Sequence, residues 1–189
     1  MEIERVDLGV CGGYDYDGDP ARTAIVLPGR MLAGMPINAY AIEGLRRHGL
    51  RVVQVWDEVL DDSVDPTTWV VDRAQAAVRY AGACTVVVGK SLGTRAAGFA
   101  ADNGWPGIWL TPPLRDDETI GMLRRRTAAA LLIGGTEDEA WDGALARELS
   151  PDVLELPGAD HGLAKIEHLQ AIVDAVAAFA GRLERLAVE

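Results

Sequence analysis

Cysteine is scarce in this sequence, occurring only at Cys11 and Cys84. Two thiols so far apart do not make a disulfide framework. No C-x-x-C spacing offers a cysteine-held zinc or a dithiol redox pair. Basic charge is also in short supply. Lys+Arg number 18 against 29 Asp+Glu, a formal net charge of −11. That balance argues against nucleic acid and against an anionic membrane surface as partners. Lysine itself occurs only at positions 90 and 165. No segment approaches the ~20 consecutive apolar residues of a membrane span. Met1–Arg5 is too charged to open a leader peptide. Low-complexity tracts and internal repeats are missing as well. The expectation is a soluble cytoplasmic protein with no membrane partner, its oligomeric state left open. Histidine is limited to positions 48, 161 and 168, so any chemistry that needs an imidazole has few places to find one.

What is present is an ordinary globular composition, 49% hydrophobic and 25% charged over 189 residues. Such a chain suits one domain, 1–189, with a sizeable core. Apolar patterning alternates between strand-like and helix-like stretches. Strands are expected at Val6–Cys11, Thr23–Leu27, Arg51–Trp56, Cys84–Val88, Ile108–Leu110, Ala129–Ile133 and Asp152–Leu156. Helices are expected at Ile37–Arg47, Pro66–Tyr80, after Gly93 to Asn103, Asp116–Arg126, Trp141–Leu149 and from about Ile166 to Leu186. Gly12–Pro20 has the residues of a solvated loop. Its alternating Asp15, Asp17 and Asp19 lack the glycine and distant glutamate of a calcium loop. His48-Gly49 reads as a helix end, with the imidazole near the negative dipole. Strand followed by helix, repeated, specifies an α/β domain with a mostly parallel sheet and helices on both faces. Ligands of open sheets of this kind sit at the carboxyl ends of the strands.

One stretch carries the chemistry. Val86-Val87-Val88 is a buried strand, Gly89-Lys90-Ser91-Leu92-Gly93 is a sharp turn, and an Ala-rich helix follows. G-x-S-x-G between strand and helix puts the serine in a strained conformation with its hydroxyl exposed. The glycines keep helix and strand from clashing. A helix cap would account for the serine but not for both glycines. Serine needs a base, and the base needs an orienting acid. His161 sits in the glycine-flanked loop after the last strand, on the same sheet edge as Ser91. His48 reads as structural, and His168 lies inside the last helix. The acid belongs to the loop after Ala129–Ile133, where Asp138 is the first choice, then Asp142, then Glu137. The chain order Ser91, Asp138, His161 is that of α/β-hydrolases. An oxyanion hole would use the backbone N–H of Leu92 and one from the loop after Thr23–Leu27. Arg30 is the expected donor there, with Met31 next, since Pro28 has no N–H. Lys90 and Arg95 flank the elbow and are read as paired or solvated rather than as ligands for an acidic substrate. Thr111 and Trp141 follow strand ends and could line a pocket, Trp141 more by packing. The arginine run 124–126 compensates a helix dipole.

The residues Leu27-Pro28-Gly29-Arg30, Gly89–Arg95, Gly135–Asp138 and Ala159–Gly162 together resemble the α/β-hydrolase superfamily. The likeness is to its small lidless members, similar to dienelactone hydrolases and bacterial carboxylesterases. The resemblance implies that fold over nearly the whole chain, a small-molecule acyl substrate, no cofactor and no metal. It implies catalytic roles for Ser91, Asp138 and His161. Two departures stand out. Pro28 occupies a place where many members have histidine, and Ser91 stands where dienelactone hydrolases proper have cysteine.

Overall fold

A computed structural model describes residues 2–30, 34–57 and 63–186. Its eight strands form one sheet. They are β1 (Ile3–Asp7), β2 (Gly12–Tyr16), β3 (Asp19–Leu27), β4 (Leu50–Trp56), β5 (Val86–Lys90), β6 (Gly107–Leu110), β7 (Ala130–Gly135) and β8 (Asp152–Leu156). The spatial order is β1-β2-β4-β3-β5-β6-β7-β8. From β4 across to β8 every pairing is parallel, while β1 and β2 pair antiparallel with each other and β2 pairs antiparallel with β4. The helices are α1 (Pro36–Arg46), α2 (Pro66–Ala81), α3 (Ala97–Asp102), α4 (Asp117–Arg124), α5 (Gly143–Leu149) and α6 (Ile166–Leu186).

The period of two along each strand decides which helix covers it. Val86 and Val88 face α1 and α6, packing with Ile37, Ala41, Leu45, Ile172 and Phe179. Val87, between them, faces α2 and α3, packing with Val70, Ala74, Ala77 and Ala97. The central strands are apolar on both sides because both sides are roofed. Two cores result, one above and one below the sheet, and every residue of β5 is buried.

The amino-terminal hairpin departs from the expectation. The first strand ends at Asp7, and Gly12–Tyr16, expected as solvated loop, is strand β2. Its polar residues are satisfied across the sheet. Asp15 takes a bidentate bond from Arg51, Nη2 to Oδ2 at 2.6 Å, and Tyr16 Oη donates to Gln54 at 2.8 Å. The bond from Arg51 is the principal cause that holds the Asp15 carboxyl below its ordinary value. Asp19 Oδ1 accepts from the Ala21 N–H instead. Asp15 and Asp19 are therefore committed to separate structural tasks. Elsewhere the differences are at element ends. The helix expected from Trp141 begins at Gly143, capped by Asp142, whose Oδ1 accepts from Leu145 N–H at 3.0 Å. Part of the expected acidic loop from Asp57 to Asp65 lies outside the described residues. Among the described residues no helix is long and apolar enough to cross a membrane.

Candidate active site

The elbow forms as its glycines require. After Lys90, the last residue of β5, the chain turns into a 3₁₀ helix, Ser91–Ala96, that runs into α3. Ser91 has φ +48°, a left-handed conformation that costs a non-glycine residue about 1–3 kcal/mol. A Cβ on Gly89 would overlap the Gly93 carbonyl, and one on Gly93 would lie 2.9 Å from the Pro28 carbonyl oxygen. The helix therefore crosses the strand at a distance that only glycine allows. Starting as 3₁₀ rather than α tightens the first turn and leaves the N–H groups at its amino end without partners inside the helix. Leu92 carries one of these.

His161 arrives on the loop after β8, and Asp138 on the loop after β7. Backbone hydrogen bonds sew the two loops together. Glu137 N–H donates to Ala159 O at 2.9 Å, Thr136 N–H to Leu156 O at 3.1 Å, and Gly158 N–H to Thr136 Oγ1 at 2.8 Å. Asp160 Oδ1 then accepts from the Gly162 N–H at 2.9 Å, turning the chain just past the imidazole.

These supports bring three side chains into one line. His161 Nε2 lies 2.8 Å from Ser91 Oγ, and His161 Nδ1 lies 2.8 Å from Asp138 Oδ2. They come from positions 70 and 23 residues away from the histidine. The Asp138 side chain is only 2% exposed, whereas that of His161 is 43% exposed. The acid is shut in behind the ring and the ring faces the solvent edge. Burial acts to raise the Asp138 carboxyl. It is outweighed by the hydrogen bonds from His161 and from Ala140 N–H, with the nearby charges of His161 and Lys90 adding to them, and the carboxyl sits below its ordinary value. Asp138 is thus an anion aimed at Nδ1, which fixes the proton on that nitrogen and leaves Nε2 as the acceptor from Ser91. The other two acids considered are placed elsewhere: Asp142 caps α5, and Glu137 is exposed.

The pocket beside Ser91 and His161 is lined by Gly29, Arg30, Met35, Lys90 and Gly162, and its walls are mostly apolar. Gly29 is close enough to the elbow that a Cβ there would lie 3.7 Å from Ser91 Cβ. The loop after β3 therefore meets the nucleophile, with Arg30 at the pocket wall. Met31 lies outside the described residues. Arg95 does not reach the pocket's chemistry: it pairs with Asp116 at 2.8 Å and with Glu118, tying the elbow helix to the start of α4. Trp141 is buried and packs under Gly134, its Nε1–H donating to Glu155 at 2.8 Å. His48 stays at the end of α1 against Gly181 of α6, and His168 is buried in α6. Lys90, read as paired or solvated, is paired and not solvated: it is only 3% exposed, and its Nζ donates to the buried Thr111 Oγ1 at 2.6 Å. A charge count along the sequence could not have shown this, because the burial comes from the neighbouring strands.

Comparison with known proteins agrees with this architecture. The backbone superposes on Est1E from Butyrivibrio proteoclasticus with a TM-score of 0.74, covering 98% of this chain and 100% of that one at 16% identity. It superposes on dienelactone hydrolase from Anabaena variabilis with a TM-score of 0.73, covering 96% of each at 17% identity. A serine hydrolase homologue from Coxiella burnetii gives 0.71 at 15% identity, covering 94% of this chain and 96% of that one. The fold is that of the α/β-hydrolases. No family model matches the sequence, and no curated protein matches it. With identities this low, the likeness lies in the backbone, and the small α/β-hydrolases in question are matched nearly end to end with no lid domain added among the described residues.

The sewing of the two loops gives a sharp test of geometry. A Cβ on Gly135 would overlap the carbonyl oxygen of Ala159 and lie 2.7 Å from the Ala159 Cβ. Gly135→Ala must push the loop that carries His161 away from β7. Overpacking of this kind costs about 1–3 kcal/mol, and a shift of about 1 Å at a reacting group costs on the order of 100-fold in rate. The expected result is a folded variant, seen by circular dichroism, whose turnover of any acyl substrate the wild type accepts falls about 100-fold. Wild-type turnover in Gly135→Ala would mean that the loop spacing is not what sets the imidazole.

Proposed function

We propose that the chain is a serine hydrolase that cleaves carboxylic esters or related acyl bonds. One observation supports this above the rest: the unbroken line from Ser91 Oγ through both nitrogens of His161 to the buried carboxylate of Asp138, with 2.8 Å at each step. A serine that was only a helix cap would have no reason to meet an imidazole so oriented.

In the reaction, a carbonyl carbon enters the pocket and Ser91 Oγ attacks it while His161 Nε2 takes the hydroxyl proton. Asp138 stabilises the imidazolium that forms. The carbonyl electrons move to oxygen, and the oxyanion lies at the backbone N–H groups of Leu92 and Arg30. Each such donor is worth about 3 kcal/mol of barrier. Collapse of the tetrahedral species breaks the acyl bond, and the imidazolium gives its proton to the departing alcohol. Water then enters, loses a proton to His161 and attacks the acyl-serine. The second collapse releases the acid and restores the serine. No step calls for a cofactor.

The mostly apolar pocket wall suits an apolar acyl or alcohol portion, and the partly exposed ring of His161 suits small substrates or exposed acyl groups. Est1E has been solved with ferulic acid bound, which makes aromatic acyl esters a sensible member of a test panel. The two free cysteines accord with the reducing cytoplasm. The test is covalent labelling. A fluorophosphonate is expected to modify the native chain at Ser91 and to leave Ser91→Ala untouched. Failure to label the native chain would reassign it to a non-catalytic role on the same scaffold. A series of p-nitrophenyl esters of increasing chain length then measures how much acyl group the pocket accepts.

A further inference from the structure

The mechanism above leaves one buried cation without a task. Lys90 closes β5, where it pairs in register with Leu110 of β6, and Leu110 pairs with Ile133 of β7. Its side chain reaches across the end of β6 to Thr111, whose own N–H is bound to Ile133 O at 2.6 Å. Thr111 is fully buried and holds a left-handed φ of +45°. The ammonium is therefore fixed one strand away from β7, the strand that leads to Asp138. It also lines the pocket that holds Ser91 and His161. Among the described residues, the carboxylates that act on it are Asp138 and Asp160, the acid and the neighbour of the base. Arg30 is the other cation at the pocket wall.

Charge explains why a cation belongs there. The chain carries a net −11. Asp138 touches the imidazole and Asp160 precedes it in the chain. Every one of these negative charges favours the protonated imidazole. A protonated His161 cannot accept the proton of Ser91. A fixed positive charge in the wall of the same pocket offsets that field. Burial in itself opposes keeping Lys90 charged. Desolvation brings it down to about 8, although Asp138 and Asp160 both pull it up. An apolar side chain would fill this space without that penalty, so packing alone does not account for lysine.

We propose that Lys90, anchored on Thr111 in the wall of the pocket it shares with Ser91 and His161, is a positioning residue whose fixed charge disfavours protonation of the His161–Asp138 pair. It touches no reacting atom and acts through the pair. The proposal rests on the reading of His161 as the base, but its test does not need turnover. His161 can be followed by NMR, since only two other histidines share the spectrum. In Lys90→Met the imidazole of His161 is expected to hold its proton to higher pH than in the wild type, because a nearby positive charge has been lost. The acidic limb of kcat/KM moves upward by the same amount. A merely structural loss would lower the rate at all pH values and leave the limb in place.

Should Lys90→Met fail to fold, the coupling is read from the other side, because it is reciprocal. With ¹³Cε-lysine only two signals appear, and Lys165→Arg assigns them. Lys90 in the wild type is expected to titrate near 8. In Asp138→Asn it is expected to titrate about half a unit lower or more, having lost its carboxylate. An unmoved His161 in Lys90→Met, or an unmoved Lys90 in Asp138→Asn, overturns the proposal. Loss of fluorophosphonate labelling in the wild type would instead overturn the hydrolase reading, with the electrostatic coupling still measurable.

Discussion

Ser91→Ala is expected to lower kcat on an activated ester such as p-nitrophenyl acetate by about 10⁴–10⁶-fold. His161→Ala is expected to do nearly the same. The reason is mutual dependence. Without Oγ the imidazole has no proton to take, and without the imidazole Oγ stays a neutral hydroxyl at neutral pH. The double variant should therefore be no slower than either single one, whereas independent contributions would multiply. Turnover should not vanish, because the backbone donors proposed at Leu92 and Arg30 survive both substitutions. Residual catalysis of roughly 10³-fold over water is the expected floor. The change costs the fold little. Ser91 is only partly buried, and the backbone that holds its positive φ is fixed by Gly89, Gly93 and the start of the 3₁₀ helix. A melting temperature close to wild type thus accompanies the lost rate. A Ser91→Ala variant that retained a tenth or more of wild-type kcat would rule out this serine as nucleophile.

Why that serine could be found from sequence, and Lys90 beside it could not be understood, has a physical answer. Gly89, Ser91 and Gly93 are fixed by a local requirement, a sharp reversal between strand and helix. Local requirements leave local patterns. The valines of β5 show a second pattern, since a strand roofed on both sides must be apolar throughout. That His161 and Asp138 meet Ser91 is legible in the sequence because topology places the carboxyl ends of β5, β7 and β8 on one edge, and because histidine is so rare here. Strand β2 was missed for the opposite reason. In Gly12-Gly13-Tyr14-Asp15-Tyr16 the two glycines and the aspartate are turn residues, and they mask the two strand-favouring tyrosines. The segment holds as a strand through partners far along the chain, Arg51 and Gln54, and through Gly13, where a Cβ would lie 2.8 Å from the Gln54 carbonyl oxygen. Burial of the Lys90 ammonium likewise depends on Thr111, twenty-one positions away. Neither partner announces itself in the neighbouring sequence.

Asp138→Asn should produce the second large loss, about 10⁴-fold in kcat, and the geometry says why an isosteric change is so costly. Each carboxylate oxygen has a fixed duty. Oδ1 accepts the Ala140 N–H at 2.9 Å, and Oδ2 faces His161 Nδ1 at 2.8 Å. An asparagine has one acceptor and one donor for these two places. Turned with its NH₂ toward Ala140, it sets donor against donor in a buried site. Turned the other way, it keeps the Ala140 bond and donates to Nδ1. The second arrangement is the better satisfied, and it forces the proton of His161 onto Nε2. Nε2–H then points at Ser91 and can no longer accept its proton. The site would look intact and work in the wrong tautomer. NMR of the imidazole nitrogens should report that exchange directly, with the protonated nitrogen moving from Nδ1 in the wild type to Nε2 in the variant. The linkage sign also follows. A carboxyl held below its ordinary value stabilises the fold above the unfolded-state pKa of about 3.9, and that contribution fades as pH falls through the folded-state value. Asp138→Asn should accordingly lose stability relative to wild type at neutral pH, and the gap should narrow in acid. A full-rate Asp138→Asn enzyme with its proton still on Nδ1 would mean that some other group orients the ring.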